Sequence, residues 1–256
     1  MLKNQYLLML LIRLFLGYIF FSAGICKLTH GNFGQLIGPP WLEEALAKHG
    51  LGLFAKVVAI SQVICGTLLL SQRYSLLGAV MLVPMNIAIL AVTVSMDWQG
   101  TPYVNAVFLL LNLMLLGLEY RKFMFLLQPA REHKTTPAIT DTIGQDNYSW
   151  MGIGFCVLTL LMTSMSYTLT NLAALLTFIS FAVTIVRSGL LTKLDMALIV
   201  LPFVAMILLT FGDLHTQMRN ALLAIVGIEA VLLTYRIYLG SRGKASSAVA
   251  STAAIN

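Results

Sequence analysis

Arg13, Gln62, Asn86, Asn112 and Glu229 each interrupt a long apolar run. A polar side chain in such a run is costly, so it is a functional candidate from the start. Gln62, Asn86 and Asn112 fall near the middle of three successive runs. A layer of carboxamides can both donate and accept hydrogen bonds. It could receive a quinone headgroup or a small polar solute, or it could tie helices together as interhelical amide glue. Glu229 stands alone in the last run with no basic residue at matching depth, which suits a proton relay or a neutral, hydrogen-bonded structural acid.

Other chemistries have no basis in the residues. The three cysteines (Cys26, Cys65, Cys156) form no CxxC and no metal spacing, and no pair of histidines of the haem type falls at mid-depth. No metal or haem is therefore expected. There is no HExxH, phosphate-binding loop, dinucleotide fingerprint or GxSxG, so no catalytic motif is available. Asp213 and His215, two apart at the end of a run, read as a solvated turn.

These residues must be positioned by helices in lipid. Apolar residues make up 59% of the 256, only 10% are charged, and mean hydropathy is +0.87. A soluble domain carries about 25% charged residues, so a water-soluble enzyme is excluded, and so is disorder. A spanning helix needs about 20 apolar residues. Runs of that kind cover Tyr6–Cys26, Leu53–Ser71, Ser75–Ser95 and Tyr103–Leu118. The 40 uncharged residues from Asn147 to Val186 are too long for one crossing and divide near Ser166–Asn171. Met196–Gly212 and Asn220–Tyr238 complete eight spans in an all-α integral membrane protein.

Four units follow. Residues 1–122 form a four-helix membrane module and 123–148 a cytoplasmic linker. Residues 149–240 form a second four-helix segment, and 241–256 a disordered tail. Between the first two spans, the loop 27–51 contains an amphipathic stretch, Trp41–His49, with Leu42, Ala45 and Leu46 on one side. It is suited to the membrane surface, and to docking an extracytoplasmic redox protein.

Eight spans put both ends on one side. With that side cytoplasmic, inner segments hold Lys3, Arg73, Arg121, Lys122, Arg131, Lys134, Arg187, Lys193, Arg236, Arg242 and Lys244. Outer segments hold Lys27, Lys48, Lys56 and Arg219. Eleven against four is a positive-inside distribution. It accounts for the net charge of +6 without a nucleic acid partner. The expected location is a plasma (inner) membrane, with lipid as the principal partner.

In the first span Arg13, Gly17, Phe20, Gly24 and Lys27 recur every three or four residues and form one stripe, whose glycines admit a neighbouring helix. Asn105, Asn112 and Glu119 form a second stripe on the fourth span. Because the two spans run in opposite directions, Arg13 and Glu119 share a depth, as do Lys27 and Asp97. Ion pairs Arg13–Glu119 and Lys27–Asp97 are expected; the rival for Arg13 is snorkelling to lipid headgroups.

Arg13–Gly17 with Phe20-Phe21-Ser22-Ala23-Gly24-Ile25-Cys26-Lys27 resembles the first helix of the DoxX family, and Gln62, Gly66, Leu68–Leu70 and Arg73 occupy the frame of its second helix. Glutamine at 62 departs from the acidic residue usual there. The resemblance spans roughly residues 7–121. It implies a bacterial plasma-membrane protein similar to the membrane subunit of thiosulfate:quinone oxidoreductase: a subunit or anchor of a quinone-linked redox system, with quinone as the cofactor. A non-enzymatic scaffold for an extracytoplasmic partner and a small-solute transporter are the other classes.

Overall fold

The computed structural model describes residues 4–38, 40–122, 139–211 and 218–253. Its helices are α1 (Asn4–Leu28), α2 (Leu42–Ala47), α3 (Gly52–Leu70), α4 (Ser75–Ser95) and α5 (Thr101–Leu118), then α6 (Asn147–Met162), α7 (Tyr167–Val186), α8 (Lys193–Thr210) and α9 (Met218–Ala253). No strand occurs among the described residues. Among the described residues, seven helices are long and apolar enough to cross a bilayer: α1, α3, α4, α5, α7, α8 and the Asn220–Gly240 part of α9. The protein is an all-α, multi-pass integral membrane protein.

Helix α6 is the short one, at 16 residues. At 1.5 Å per residue it rises about 24 Å, less than the roughly 30 Å of a hydrocarbon core. It lies antiparallel to α3: the Ser149 hydroxyl donates to the Ser71 carbonyl at 3.1 Å, and further along Thr67 Oγ1 meets Cys156 Sγ at 2.6 Å. Helix α7 then returns, bringing the Arg187 guanidinium over the Tyr148 ring at the start of α6. At that same end, the Arg236 guanidinium on α9 donates to the Asn4 side chain at 2.9 Å. The start of α1 and the end of the apolar part of α9 thus share one face, the termini face. The opposite face carries α2.

Three stripes on α1 explain why it sits at the centre. Leu7, Leu10, Leu14, Tyr18, Phe21 and Ile25 pack into one core with Phe178, Phe181, Ile199 and Phe203 of α7 and α8. Met9, Ile12, Leu16, Ile19 and Phe20 face a second core with Leu82, Met85 and Phe108 of α4 and α5. The Gly17–Gly24 stripe faces α3: a Cβ on Gly24 would lie 2.5 Å from the Ala59 carbonyl oxygen, and one on Gly66 would lie 2.5 Å from the Phe21 nitrogen. A helix apolar on every side must be buried. In α1 83% of the apolar stretch is buried, against 11% in Asn220–Gly240, which lies at the periphery. The two sets of four spans are therefore not independent bundles: Tyr18 and Phe21 both meet the Phe178 ring edge-on.

One expectation is corrected. The tail from Ser241, read as disordered, continues α9 as helix to Ala253. Extending an existing helix avoids the nucleation cost, and alanine has the highest helix propensity. Lys3, Asp213, His215 and the linker positions 123–138 lie outside the described residues.

Candidate functional site

A cleft of about 60 Å³ opens at the α2 face between α1, α3, α4 and α5. Its walls are mostly apolar, with Ile19, Phe20, Ile89, Val104 and Phe108 among them, and Lys27, Gln62 and Asn105 line it together with Thr93 and Thr101. Helix α2 and the segment before it form the roof, through Ile37, Gly38 and Leu42. Trp98 stands at the mouth, its ring 5.0 Å from that of Trp41. Apolar walls with a few polar groups are the chemistry of a small-molecule site, although such sites ordinarily enclose about 300 to 1,000 Å³ and this cleft is far smaller.

Lys27 is the unusual member. A lysine near the end of a spanning helix ordinarily stretches outward to water and headgroups. Here the side chain folds back along α1, and Nζ donates to the Ala23 carbonyl at 3.0 Å. The ammonium is thereby carried back one turn to Ala23, in the cleft that Gln62 also lines. Lys27 is only 3% exposed. Gln62 is buried too, and its Oε1 has no hydrogen-bond partner among the described residues. A buried cation and a buried unpaired carbonyl oxygen in one apolar cleft are both costly unless a ligand meets them.

The expected Lys27–Asp97 pair does not form. Asp97 occupies a left-handed turn (φ +52°) after α4 and is exposed, while Lys27 points inward. Equal depth brought the two helix ends level, but the lysine rotamer took the ammonium the other way. The mid-depth amides also separate. Gln62 lines the cleft; Asn86 and Asn112 do not. Asn112 Nδ2 donates to the Ala79 carbonyl at 3.0 Å, and Asn105 Nδ2 donates to the Asn86 carbonyl at 2.9 Å. Asn105 and Asn112 thus tie α5 to α4. Asn105 does both jobs, bonding α4 and lining the cleft, and its place in the Asn105–Asn112–Glu119 stripe was the signal for it.

At the termini face, Arg13 and Glu119 are brought together. The Arg13 guanidinium donates to Glu119 Oε1 and, at 3.3 Å, to Gln72 Oε1, with both charged side chains buried. Gln72 adopts a left-handed backbone (φ +57°) between α3 and α4, which presents its amide to Arg13 while Nε2 donates to the Leu69 carbonyl. Lys122 Nζ lies 3.5 Å from Glu119 Oε2 and 2.5 Å from Asp141 Oδ1, so the chain of charges reaches the surface.

A second buried pair has no counterpart in the sequence reading. Arg236 Nε donates to Asp195 Oδ1 at 2.6 Å, with both side chains at most 1% exposed. Asp195 also closes a capping box with Thr192 at the start of α8. The Thr192-x-x-Asp195 spacing was the available signal. Glu229 is half-buried on α9, does not line the cleft, and forms no ion pair among the described residues.

The segment that carries α1, α3 and α4 matches a known family. The DoxX profile matches residues 8–95. A relative of Bacillus subtilis (strain 168), the uncharacterized protein YwoB, is 30% identical over 124 residues, covering 44% of this chain and 77% of its own length. The chain belongs to the DoxX family. The DoxX match ends at the last residue of α4, so Asn105, Asn112 and Glu119 lie beyond it although they complete the same unit. Within the DoxX region stand Arg13, Lys27 and Gln62, the three residues that the ion pair and the cleft turn on. No solved structure matches the chain.

Proposed function

We propose that the protein is a membrane subunit or anchor of a quinone-linked redox system in a bacterial plasma membrane. One observation carries the proposal: an apolar cleft in the DoxX unit is lined by both a buried lysine and a glutamine whose amide oxygen has no partner among the described residues. The residues suit a quinone head. Lys27 and Gln62 would hold the polar edge of the head, and Phe20 and Phe108 are among the apolar walls that would surround it. A quinone bound there would supply two-electron acceptor chemistry. Lys27 would favour negative charge developing on the oxygen it holds, and the apolar walls would keep water from that oxygen. In this reading Asn112 is an interhelical tie, while the Asn86 side chain, whose two polar atoms are buried without a partner among the described residues, lies outside the cleft lining.

The basic residues support a cytoplasmic termini face and an extracytoplasmic α2 face. Organic extraction of the purified protein, combined with redox assays using quinone analogues, tests the proposal. Co-purified quinone with analogue-dependent activity is expected; absence of both overturns it.

A scaffold role finds support on the same face. Leu36, Ile37, Trp41, Leu51 and Leu53 are all exposed there and form an apolar rim. Deleting Trp41–His49 would also unroof the cleft, because Leu42 lines it. Substitution of Leu36 by Asp is the cleaner test: loss of a specific extracytoplasmic partner with quinone binding retained would establish docking at 27–51.

A further inference from the structure

The Lys27 cleft makes two opposite demands on whatever occupies it. Its volume of about 60 Å³ is the room of roughly two water molecules, so a single molecule of a few heavy atoms fills it. Lys27 is the only charged residue among those that line it. The side chain is buried with no carboxylate within 4 Å among the described residues, and its one hydrogen bond runs to the Ala23 carbonyl. An ammonium has three donors, so two remain for an acceptor of opposite charge. Gln62 makes the other demand: its Oε1 is buried and receives no donor among the described residues. Two further lining side chains are turned to the α4 backbone. Thr93 Oγ1 donates to the Leu90 carbonyl at 3.0 Å, and Asn105 Nδ2 donates to the Asn86 carbonyl at 2.9 Å.

From this pairing we infer that the cleft binds a small monovalent oxyanion that carries its own hydrogen, of the size and kind of bicarbonate. Its negative oxygens answer Lys27, and its O–H donates to Gln62 Oε1. Nitrate has the same shape and charge but no hydrogen; it meets the first demand and leaves the Gln62 oxygen without a donor. Water meets the second and leaves the buried charge uncompensated. A dianion would exceed the single positive charge. The apolar walls strengthen both contacts by lowering the local dielectric. The inference goes beyond the redox proposal and stands without it; where both hold, bicarbonate and a quinone head compete for Lys27.

The test is a matched pair of anions. The full chain is held in phosphatidylcholine nanodiscs at mildly alkaline pH, where bicarbonate is the main carbonate species, with gluconate as the background anion. Carbon-13-labelled bicarbonate is added, and exchange broadening of its NMR line reports binding. The broadening should saturate and be reversed by unlabelled bicarbonate. Nitrate should reverse it only at about tenfold higher concentration, a difference of about 1.4 kcal/mol for the one hydrogen bond it cannot make. This arm requires no variant. Lys27→Met should abolish binding of both anions. Gln62→Leu should keep binding and make bicarbonate and nitrate equal competitors. Gln62→Glu sets a carboxylate in the same cleft, supplies the counter-charge from the chain itself and should abolish anion binding.

Absence of saturable broadening in the parent would overturn the inference and leave the cleft to water. Equal displacement by nitrate in the parent would overturn it too, since the Gln62 oxygen would then select nothing. Saturable binding that survives in Lys27→Met would place the anion elsewhere on the protein, and the inference would fail. No arm contains a quinone, so failure here and failure of the redox proposal are read separately.

Discussion

Arg13 and Glu119, 106 residues apart, form an ion pair inside the termini end of the bundle, where α1 meets the end of α5. Removing one partner of a buried pair leaves an uncompensated charge, which costs about 3 to 5 kcal/mol in proteins where it has been measured. Glu119→Ala should therefore lower stability in detergent by roughly 3 kcal/mol. Lys122→Ala touches a partly exposed charge and should cost less than about 1 kcal/mol. The double swap Arg13→Glu with Glu119→Arg should recover part of the loss but not all, because the guanidinium introduced on α5 would face Lys122. Unfolding titrations of the parent and these variants check the order; a double swap no better than either single swap would remove the pair from the account.

Close contact between α1 and α3 depends on the absence of side chains. Gly66→Val puts carbon atoms onto the Phe21 nitrogen and the Gly17 carbonyl and should destabilise by about 1 to 3 kcal/mol or more. Gly154 is the internal control, with nothing within 4 Å of an added Cβ on the exposed side of α6. Gly154→Ala should be neutral or gain up to about 1 kcal/mol from helix propensity. Comparison of the two midpoints decides whether helix approach or glycine itself matters.

Asp195 serves two functions at once, capping α8 and holding Arg236 of α9. Thr192→Ala removes the cap alone and should cost about 1 kcal/mol. Asp195→Ala also strands the Arg236 guanidinium and should cost about 3 kcal/mol or more. Hydrogen exchange should show the difference locally: α9 loosens in Asp195→Ala and stays protected in Thr192→Ala. Equal exchange in both variants would mean that the ion pair does not anchor α9.

Lys27 gives a prediction of opposite signs. A buried ammonium without a carboxylate partner is a stability cost, and an apolar side chain of similar length removes it. Lys27→Met should raise the unfolding midpoint while lowering affinity for a quinone analogue about tenfold, the trade expected of a residue retained for function. A lowered midpoint with unchanged affinity would assign Lys27 to structure.

The sequence made the spans legible because a bilayer imposes length and hydropathy together; Ser75–Ser95 matches α4 at both ends. Depth carried Arg13 to Glu119. It failed for the amides: Asn86 lies level with Asn105 and Asn112 with Ala79, about 10 Å apart along α4. Rotation about each helix axis was not readable, since α3 turns Gln62 into the cleft while α5 turns Asn112 onto Ala79. Side-chain direction was likewise hidden: Lys27 is level with the α2 face but bends inward, and nothing in the local sequence distinguishes that rotamer from the outward one. The Asp195–Arg236 pair required α8 and α9 to be seen as neighbours, which a count of crossings does not fix.

Photolabelling tests the central claim most directly. Membranes carrying the protein are irradiated with an azido-quinone, digested and mapped by mass spectrometry. The label should fall on α1 between Ile19 and Lys27, on α3 around Gln62 or on α5 around Asn105, and excess unmodified quinone should remove it. Label confined to α6–α9, or scattered over the lipid-facing residues and insensitive to competitor, would contradict a quinone site in the DoxX cleft.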